Sequence, residues 1–251
     1  MAAVNAPAGA PLVRIEGVRK EFGAVVALES VDLDVNAGEI VALVGDNGAG
    51  KTTLIKLIAG VHQPTSGRLL LDGEAVRLAN PNDSRRHGIE VVFQDLALAN
   101  NQPVYMNLFL GRELVRGPLR RLDRARMAGE TAALLDELDI RVPSARVPIR
   151  ALSGGQRQGV AIARATHWGE RLILMDEPTA ALGVQETARV EDTILRMRER
   201  GKAILIVSHS LDQVFRISDR ICVLRRGRQV GVRTTAETDG DEIVAMITGL
   251  R

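Results

Sequence analysis

The stretch Gly45-Asp46-Asn47-Gly48-Ala49-Gly50-Lys51-Thr52 constrains this chain more than any other. It reads G-x-x-x-x-G-K-T, the pattern of a phosphate-binding loop, which carries weight only between a strand and a helix. Before it stands Glu39-Ile40-Val41-Ala42-Leu43-Val44, a short apolar run of strand character. After it, residues 53–60 place apolar side chains at 54, 55, 57, 58 and 59, and Gly60 is a helix stop. The context is therefore the required one. Glycines let the backbone turn tightly and bring its N–H groups close to phosphate oxygens. The helix that follows aims its positive dipole end at the anion. Lys51 supplies a full charge for the β- and γ-phosphates, and the Thr52 hydroxyl is placed for Mg2+. Thr53, next in the chain, belongs to the same phosphate-contacting set.

Composition narrows the class. The chain has 251 residues, long enough for one large domain or two small ones, and with 45% of them hydrophobic and 25% charged it can build a substantial core. A net charge of +2 is too small to argue for nucleic acid or an anionic membrane surface. The single cysteine, Cys222, excludes an internal disulfide framework and reads as a packed, inert thiol in a buried strand. No apolar run approaches the ~18–20 residues that span a bilayer. Residues 1–11 are rich in Ala, Pro and Gly and lack the basic-then-apolar order of a signal peptide, so they read as a loose tail. These features describe a cytosolic protein that only another chain could hold at a membrane.

Along the chain, 12–16 and 31–35 alternate as strands, and 67–73 forms a strand ending in the Asp72-Gly73 turn signal. Residues 89–93 are a strand ending at Gln94-Asp95. From 96 to 150 the strand patterns vanish. A short helix is expected over 106–111 and a longer one over 123–138, with Met127, Leu134, Leu135 and Leu138 inward. Regular alternation then returns. Helices are expected over 153–167, 184–200, 211–217 and 239–248, the second with an Asp192–Arg196 pair. Strands are expected over 172–175, 203–207, 221–224 and 229–232. Near-continuously apolar strands alternating with helices mean a parallel sheet covered on both faces. The segment 96–150 reads as a helical insertion.

Two further motifs carry chemistry. Leu172-Ile173-Leu174-Met175-Asp176-Glu177 is an apolar strand ending in two acids. Carboxylates there meet ligand at the crevice of the sheet. Asp176 is suited to hold Mg2+ through oxygen, and Glu177 to polarise an attacking water. Leu152-Ser153-Gly154-Gly155-Gln156 opens a helix whose free N–H groups make a second anion site. With two phosphate-binding elements about a hundred residues apart, the economical arrangement is a dimer in which each nucleotide faces one element from each chain.

Here the chain resembles the ATP-binding subunits of ABC transporters, whose signature is matched by Leu152-Ser153-Gly154-Gly155-Gln156. The resemblance runs from about residue 12 to 251. It implies an α/β fold: a P-loop NTPase (RecA-like) core with an N-terminal antiparallel β subdomain over 12–95 and 151–251, and a helical subdomain over about 96–150. It implies ATP and Mg2+ as cofactors. Phe22 sits where the family stacks an aromatic on adenine. Gln94 matches the glutamine that senses the γ-phosphate and the metal, so Thr52, Gln94 and Asp176 form the metal set. His209 matches the histidine that contacts the γ-phosphate, and Glu177, His209 and Gln94 form the catalytic set.

The family's aspartate after Ala-Leu is replaced by Gly183, which puts the coupling of the two sites in question. The Ala180-Ala181-Leu182-Gly183 run and Asn107-Leu108-Phe109-Leu110-Gly111-Arg112-Glu113 look like the ribose-type monosaccharide importers, in a single-cassette version. The resemblance implies a homodimer or a second cassette, transmembrane permease subunits, indirectly a sugar-binding protein, no nucleic acid, and a peripheral place on the cytoplasmic face of the inner membrane. Two alternatives from other classes are a soluble ABC ATPase acting on nucleic acid or ribosomes, and a non-hydrolysing regulatory module. Retention of Lys51, Asp176, Glu177 and His209 argues against the second.

Overall fold

A computed structural model describes residues 10–168, 171–180 and 182–249. Residues 1–9 of the expected tail and Ala181 of the Ala-Ala-Leu-Gly run lie outside the described residues. In chain order the elements begin with β1 (Val13–Phe22), β2 (Val25–Leu28), β3 (Leu33–Val35), β4 (Ile40–Val44), α1 (Lys51–Ile58), β5 (Ser66–Leu71) and β6 (Glu74–Val76). There follow α2 (Pro81–Arg86), β7 (Ile89–Val92), α3 (Val104–Leu108), β8 (Val115–Arg116), β9 (Arg121–Leu122) and α4 (Arg124–Glu137). The last are α5 (Gly154–Trp168), β10 (Leu172–Asp176), α6 (Val184–Glu199), β11 (Ala203–Val207), α7 (Leu211–Ile217), β12 (Arg220–Arg225), β13 (Arg228–Thr234) and α8 (Gly240–Thr248).

Two sheets organise these elements. One is antiparallel, in the order β2-β1-β5-β6 with β3 also on β1. The other runs β13-β12-β4-β11-β10-β7 and is parallel except for β13, which turns back on β12 at the edge. In β4 and β11 every residue is buried, yet the two faces feed different cores. Ile40, Ala42, Val44, Ile204 and Ile206 join the cluster that includes α5, α6 and the 104–152 segment. Val41, Leu43, Ala203, Leu205 and Val207 join the cluster under α1 and the antiparallel sheet. A period of two along each strand thus fills both layers, and each buried Val, Leu or Ile contributes about 1.5–3 kcal/mol against exposure.

Several expectations shift when the chain is folded. β1 extends past residue 16 to Phe22, through Gly17 in the left-handed region and a register shift between Glu16 and Arg19. α3 starts and ends earlier than 106–111, with Pro103 at its N-cap. Segment 96–150 is not free of strands: β8 and β9 form a short hairpin before α4. α4 is capped by Asp123, which accepts from Arg126 N, and Met127, Leu135 and Leu138 are buried as expected while Leu134 is half-buried. α2 was not anticipated, although Asn80 caps it with Pro81 as its first residue, a regular start signal. Arg196 does not pair with Asp192. It reaches back to Leu138 O and Asp139 Oδ2, each at 3.3 Å, where the carbonyl end of α4 attracts a cation.

Candidate functional site

The phosphate-binding loop is set by packing. Gly45 has φ 145°, and a side chain there would overlap the Leu224 carbonyl oxygen of the neighbouring strand β12. Gly50 has φ 103° and stands at the N-cap of α1 against Leu28 and Ala27 of β2. No side chain caps α1, so its first N–H groups face the loop. Lys51 is buried, and its Nζ donates to Gly45 O at 2.6 Å and Asp46 O at 2.9 Å. Burial pushes its pKa down, while the nearby charges of Glu177, Asp176 and Asp46 push it up. Thr52 Oγ1 donates to Asp176 Oδ1 at 3.3 Å.

The order of the parallel sheet explains which residues meet. Strands β4, β11, β10 and β7 are consecutive neighbours, and their carboxyl ends carry the loop from Gly45, Ser208-His209, Asp176-Glu177 and Gln94. Asp176 is in register with Val207, and Val207 with Leu43. Asp176 is buried and its carboxyl is held above the usual range, chiefly by burial and further by Glu177; the Thr52 hydrogen bond and Lys56 and Lys51 oppose this. Glu177 has φ 53°, a left-handed conformation that stores about 1–2 kcal/mol in a residue with a Cβ. Its N–H donates to Val207 O at 3.0 Å, and its Oε1 lies 2.6 Å from His209 Nε2. That turn aims the carboxylate across the strand end toward the histidine.

Sequence reasoning missed the support beneath this pair. Gln213 Oε1 accepts from Ser208 Oγ at 2.7 Å and from Thr179 Oγ1 at 3.2 Å. Gln213 Nε2 donates to Glu191, which also takes Arg216 at 2.8 Å. The ends of β10 and β11 are thereby tied through one buried amide. No spacing rule singles out Gln213, because its role arises only when α7 packs under both strand ends.

Gln94 is exposed, two residues beyond β7. The segment after it is held by Arg164 of α5, which donates to Leu96 O at 2.8 Å and Ala97 O at 3.0 Å. Phe22 ends β1 and is 43% exposed. Its ring meets His62 edge-on at 5.1 Å, and Lys20 Nζ lies 4.9 Å from its centroid. His62 fits no motif in sequence, and only the fold brings it to Phe22. Phe22 pairs with Val25 at the start of β2, whose Leu28 supports Gly50, so the exposed ring and the loop belong to one wall.

The second anion-binding element has a capping box. Gln156 N donates to Ser153 Oγ at 3.3 Å, and Ser153 N donates to Gln156 Oε1 at 3.0 Å. With Gly154 and Gly155 this opens α5. The fold does not bring it to Lys51. A cavity of about 250 Å3 is lined by Gly45, Asp46, Asn47 and His209, and another of about 320 Å3 by Asp46 to Ala49 with Arg225 and Arg226. Ser153, Gly155 and Gln156 line a different one, of about 160 Å3, with Glu186 and Arg189. The two elements thus line separate cavities of one chain.

Comparison with known proteins agrees with this architecture. The profile described as "ABC transporter" matches residues 28–180. The chain is 45% identical over 237 residues, 94% of each protein, to the xylose/arabinose import ATP-binding protein XylG of Sulfolobus acidocaldarius. It is 42% identical over 248 residues, 96% of this chain and 95% of the relative, to the fructose import ATP-binding protein FrcA of Rhizobium meliloti. The ADP conformation of MJ1267, an ATP-binding cassette of an ABC transporter, superposes with a TM-score of 0.81 at 26% identity over 95% of both chains. With the profile matched over more than half of its length and such relatives matched almost end to end, the chain belongs to the ABC transporter family.

Proposed function

We propose that this chain is the ATP-hydrolysing subunit of an ABC importer for a monosaccharide. The observation that carries the chemistry is the row at the carboxyl edge of the sheet, where Lys51, Thr52, Asp176, Glu177 and His209 converge. The substrate class rests on relatives named for import of xylose, arabinose and fructose, which do not favour a ribosomal or nucleic-acid ATPase.

The N–H groups from Gly45 to Thr53 and the Lys51 ammonium hold the nucleotide phosphates, and Phe22 offers its exposed face to the base. Thr52 and Asp176 offer the oxygen donors that Mg2+ prefers, and a bound cation would offset the cost of burial that holds the Asp176 carboxyl above its usual range. Gln94 completes that set from the adjacent strand. The metal, when bound, neutralises charge that develops on the phosphates. Glu177 accepts the proton of the attacking water. His209, held on Glu177, orients it and meets the γ-phosphate.

Because Ser153 to Gln156 open a separate site, each nucleotide lies between the Lys51 loop of one chain and the Ser153 loop of a second copy, or of another cassette. Closure moves residues 96–150 as a helical arm against the core. Between arm and core lies a cavity of about 350 Å3 lined by Phe93, Leu108, Leu110 and Trp168, with Leu110 53% exposed. That groove takes the transmembrane permease. Among the described residues no helix is long and apolar enough to cross a membrane, so the permease would hold the chain at the cytoplasmic face of the inner membrane, with a sugar-binding protein beyond it.

The test is purification of the tagged chain from detergent-solubilised membranes. A polytopic permease should accompany it, with a sugar-binding protein captured from intact cells. Recovery of only ribosomes, nucleic acid or soluble proteins would remove transport from the account and leave the ATPase chemistry standing.

A further inference from the structure

A carboxylate already sits on the signature loop. Glu186, in the first turn of α6, places one oxygen, Oε1, 3.2 Å from Ser153 Oγ and 3.3 Å from Gly155 N, and both donate to it. The approach depends on Gly155, since a Cβ there would lie 2.8 Å from the Glu186 carboxyl carbon. These are the donors that an incoming phosphate oxygen would need: a hydroxyl and a backbone N–H at the start of a 15-residue helix.

We infer that Glu186 is an internal stand-in for phosphate, a positioning residue that keeps the Ser153–Gln156 loop shaped and occupied until the partner chain's nucleotide displaces it. Two anions cannot share one pair of donors, and bonds from a hydroxyl and a helix N–H to a charged oxygen are the strong kind. Closure therefore exchanges the carboxylate for the γ-phosphate, and the signature loop is selective for a triphosphate able to win that exchange. The device includes the departure at Gly183. That glycine stands at the N-cap of α6, three residues before Glu186, and a Cβ there would meet nothing within 4 Å. Nothing at residue 183 therefore stands in the way when the Glu186 side chain rotates off the loop.

Because this presupposes the two-chain nucleotide site proposed above, the test is made in the Glu177→Gln background, where ATP-bound dimers accumulate. Dimer formation is followed by sedimentation against ATP concentration at fixed Mg2+. Glu186→Gln keeps an acceptor oxygen but no charge, and Glu186→Asp is too short to reach both donors. Both should reach half-maximal dimer at roughly fivefold to tenfold lower ATP than the background chain. A thermal scan without nucleotide accompanies each variant, since a purely structural Glu186 would lower the melting point and raise the ATP requirement. An unchanged or raised requirement in both variants overturns the inference alone. If the Glu177→Gln chain itself stays monomeric at all ATP concentrations, the two-chain site falls, and the inference with it.

Discussion

His209 Nε2 lies 2.6 Å from Glu177 Oε1, although 32 residues separate them in sequence. The contact exists because β10 and β11 are parallel neighbours in register, and because Glu177 takes a left-handed backbone conformation that turns its side chain across the strand end. For Glu177→Gln the expected outcome is turnover lower by about 10^2–10^4-fold, as for loss of a positioned base, with nucleotide affinity retained. Phosphate release and a nucleotide titration measure the two separately. Parental turnover in this variant would remove Glu177 as the base. His209→Ala should lower turnover as well and leave the melting point near the parent's, since the side chain lies at the exposed rim.

Lys51→Ala should weaken nucleotide binding by at least roughly tenfold, the loss of about 1.4 kcal/mol of charge-assisted contact to phosphate. Calorimetric titration with ATP checks it. Gly50→Ala should fail differently. Its Cβ would press on Leu28 and on the Ala27 carbonyl at a positive φ, so the loop itself is disturbed and the melting point falls together with affinity.

Asp176 sets a pH-dependent trade between stability and function. Its folded carboxyl titrates above the ordinary aspartate value, chiefly through burial, so between those two values the folded chain binds more protons than the unfolded chain. Stability then falls as pH rises through that window, and the penalty persists above it. Asp176→Asn should therefore raise the melting point of the nucleotide-free protein at pH 7.5, with a smaller gain below the ordinary aspartate pKa. It should also abolish Mg2+-dependent hydrolysis. Melting curves against pH check the first statement, and phosphate release the second. A lowered melting point at pH 7.5 would contradict the burial argument.

Cys222 is fully buried in β12, and burial pushes its thiol pKa up to about 12. At pH 8 it should resist alkylation by iodoacetamide in the native protein by at least roughly a hundredfold relative to the denatured chain. Mass spectrometry before and after denaturation reads this directly, and rapid native labelling would place the thiol elsewhere.

The motifs and the central strands were legible because their signals are local. Runs such as 172–175 and 203–207 are apolar throughout, as strands covered on both faces must be. The loop from Gly45 to Thr52 carries its own context. What escaped are polar side chains whose partners come from another part of the chain. Gln213 ties Thr179 to Ser208, Arg164 holds the backbone after Gln94, His62 meets Phe22, and Glu186 sits on Ser153 and Gly155. Nothing in their own surroundings distinguishes them from solvated residues. The Asp192–Arg196 expectation failed for the same reason, since a tertiary acceptor at Asp139 outweighed the helical neighbour. The start of α2 is readable in Asn80-Pro81, a capping side chain followed by proline at the first helical position.

The proposed function places ATP between the Lys51 loop of one chain and the Ser153 loop of another. Sedimentation of the Glu177→Gln protein measures it most directly. With ATP and Mg2+ it should run as a dimer, with ADP as a monomer, and Ser153→Arg added to the same chain should keep it monomeric under all conditions. A Glu177→Gln chain that binds ATP yet stays monomeric, or a dimer indifferent to Ser153→Arg, would contradict the shared site.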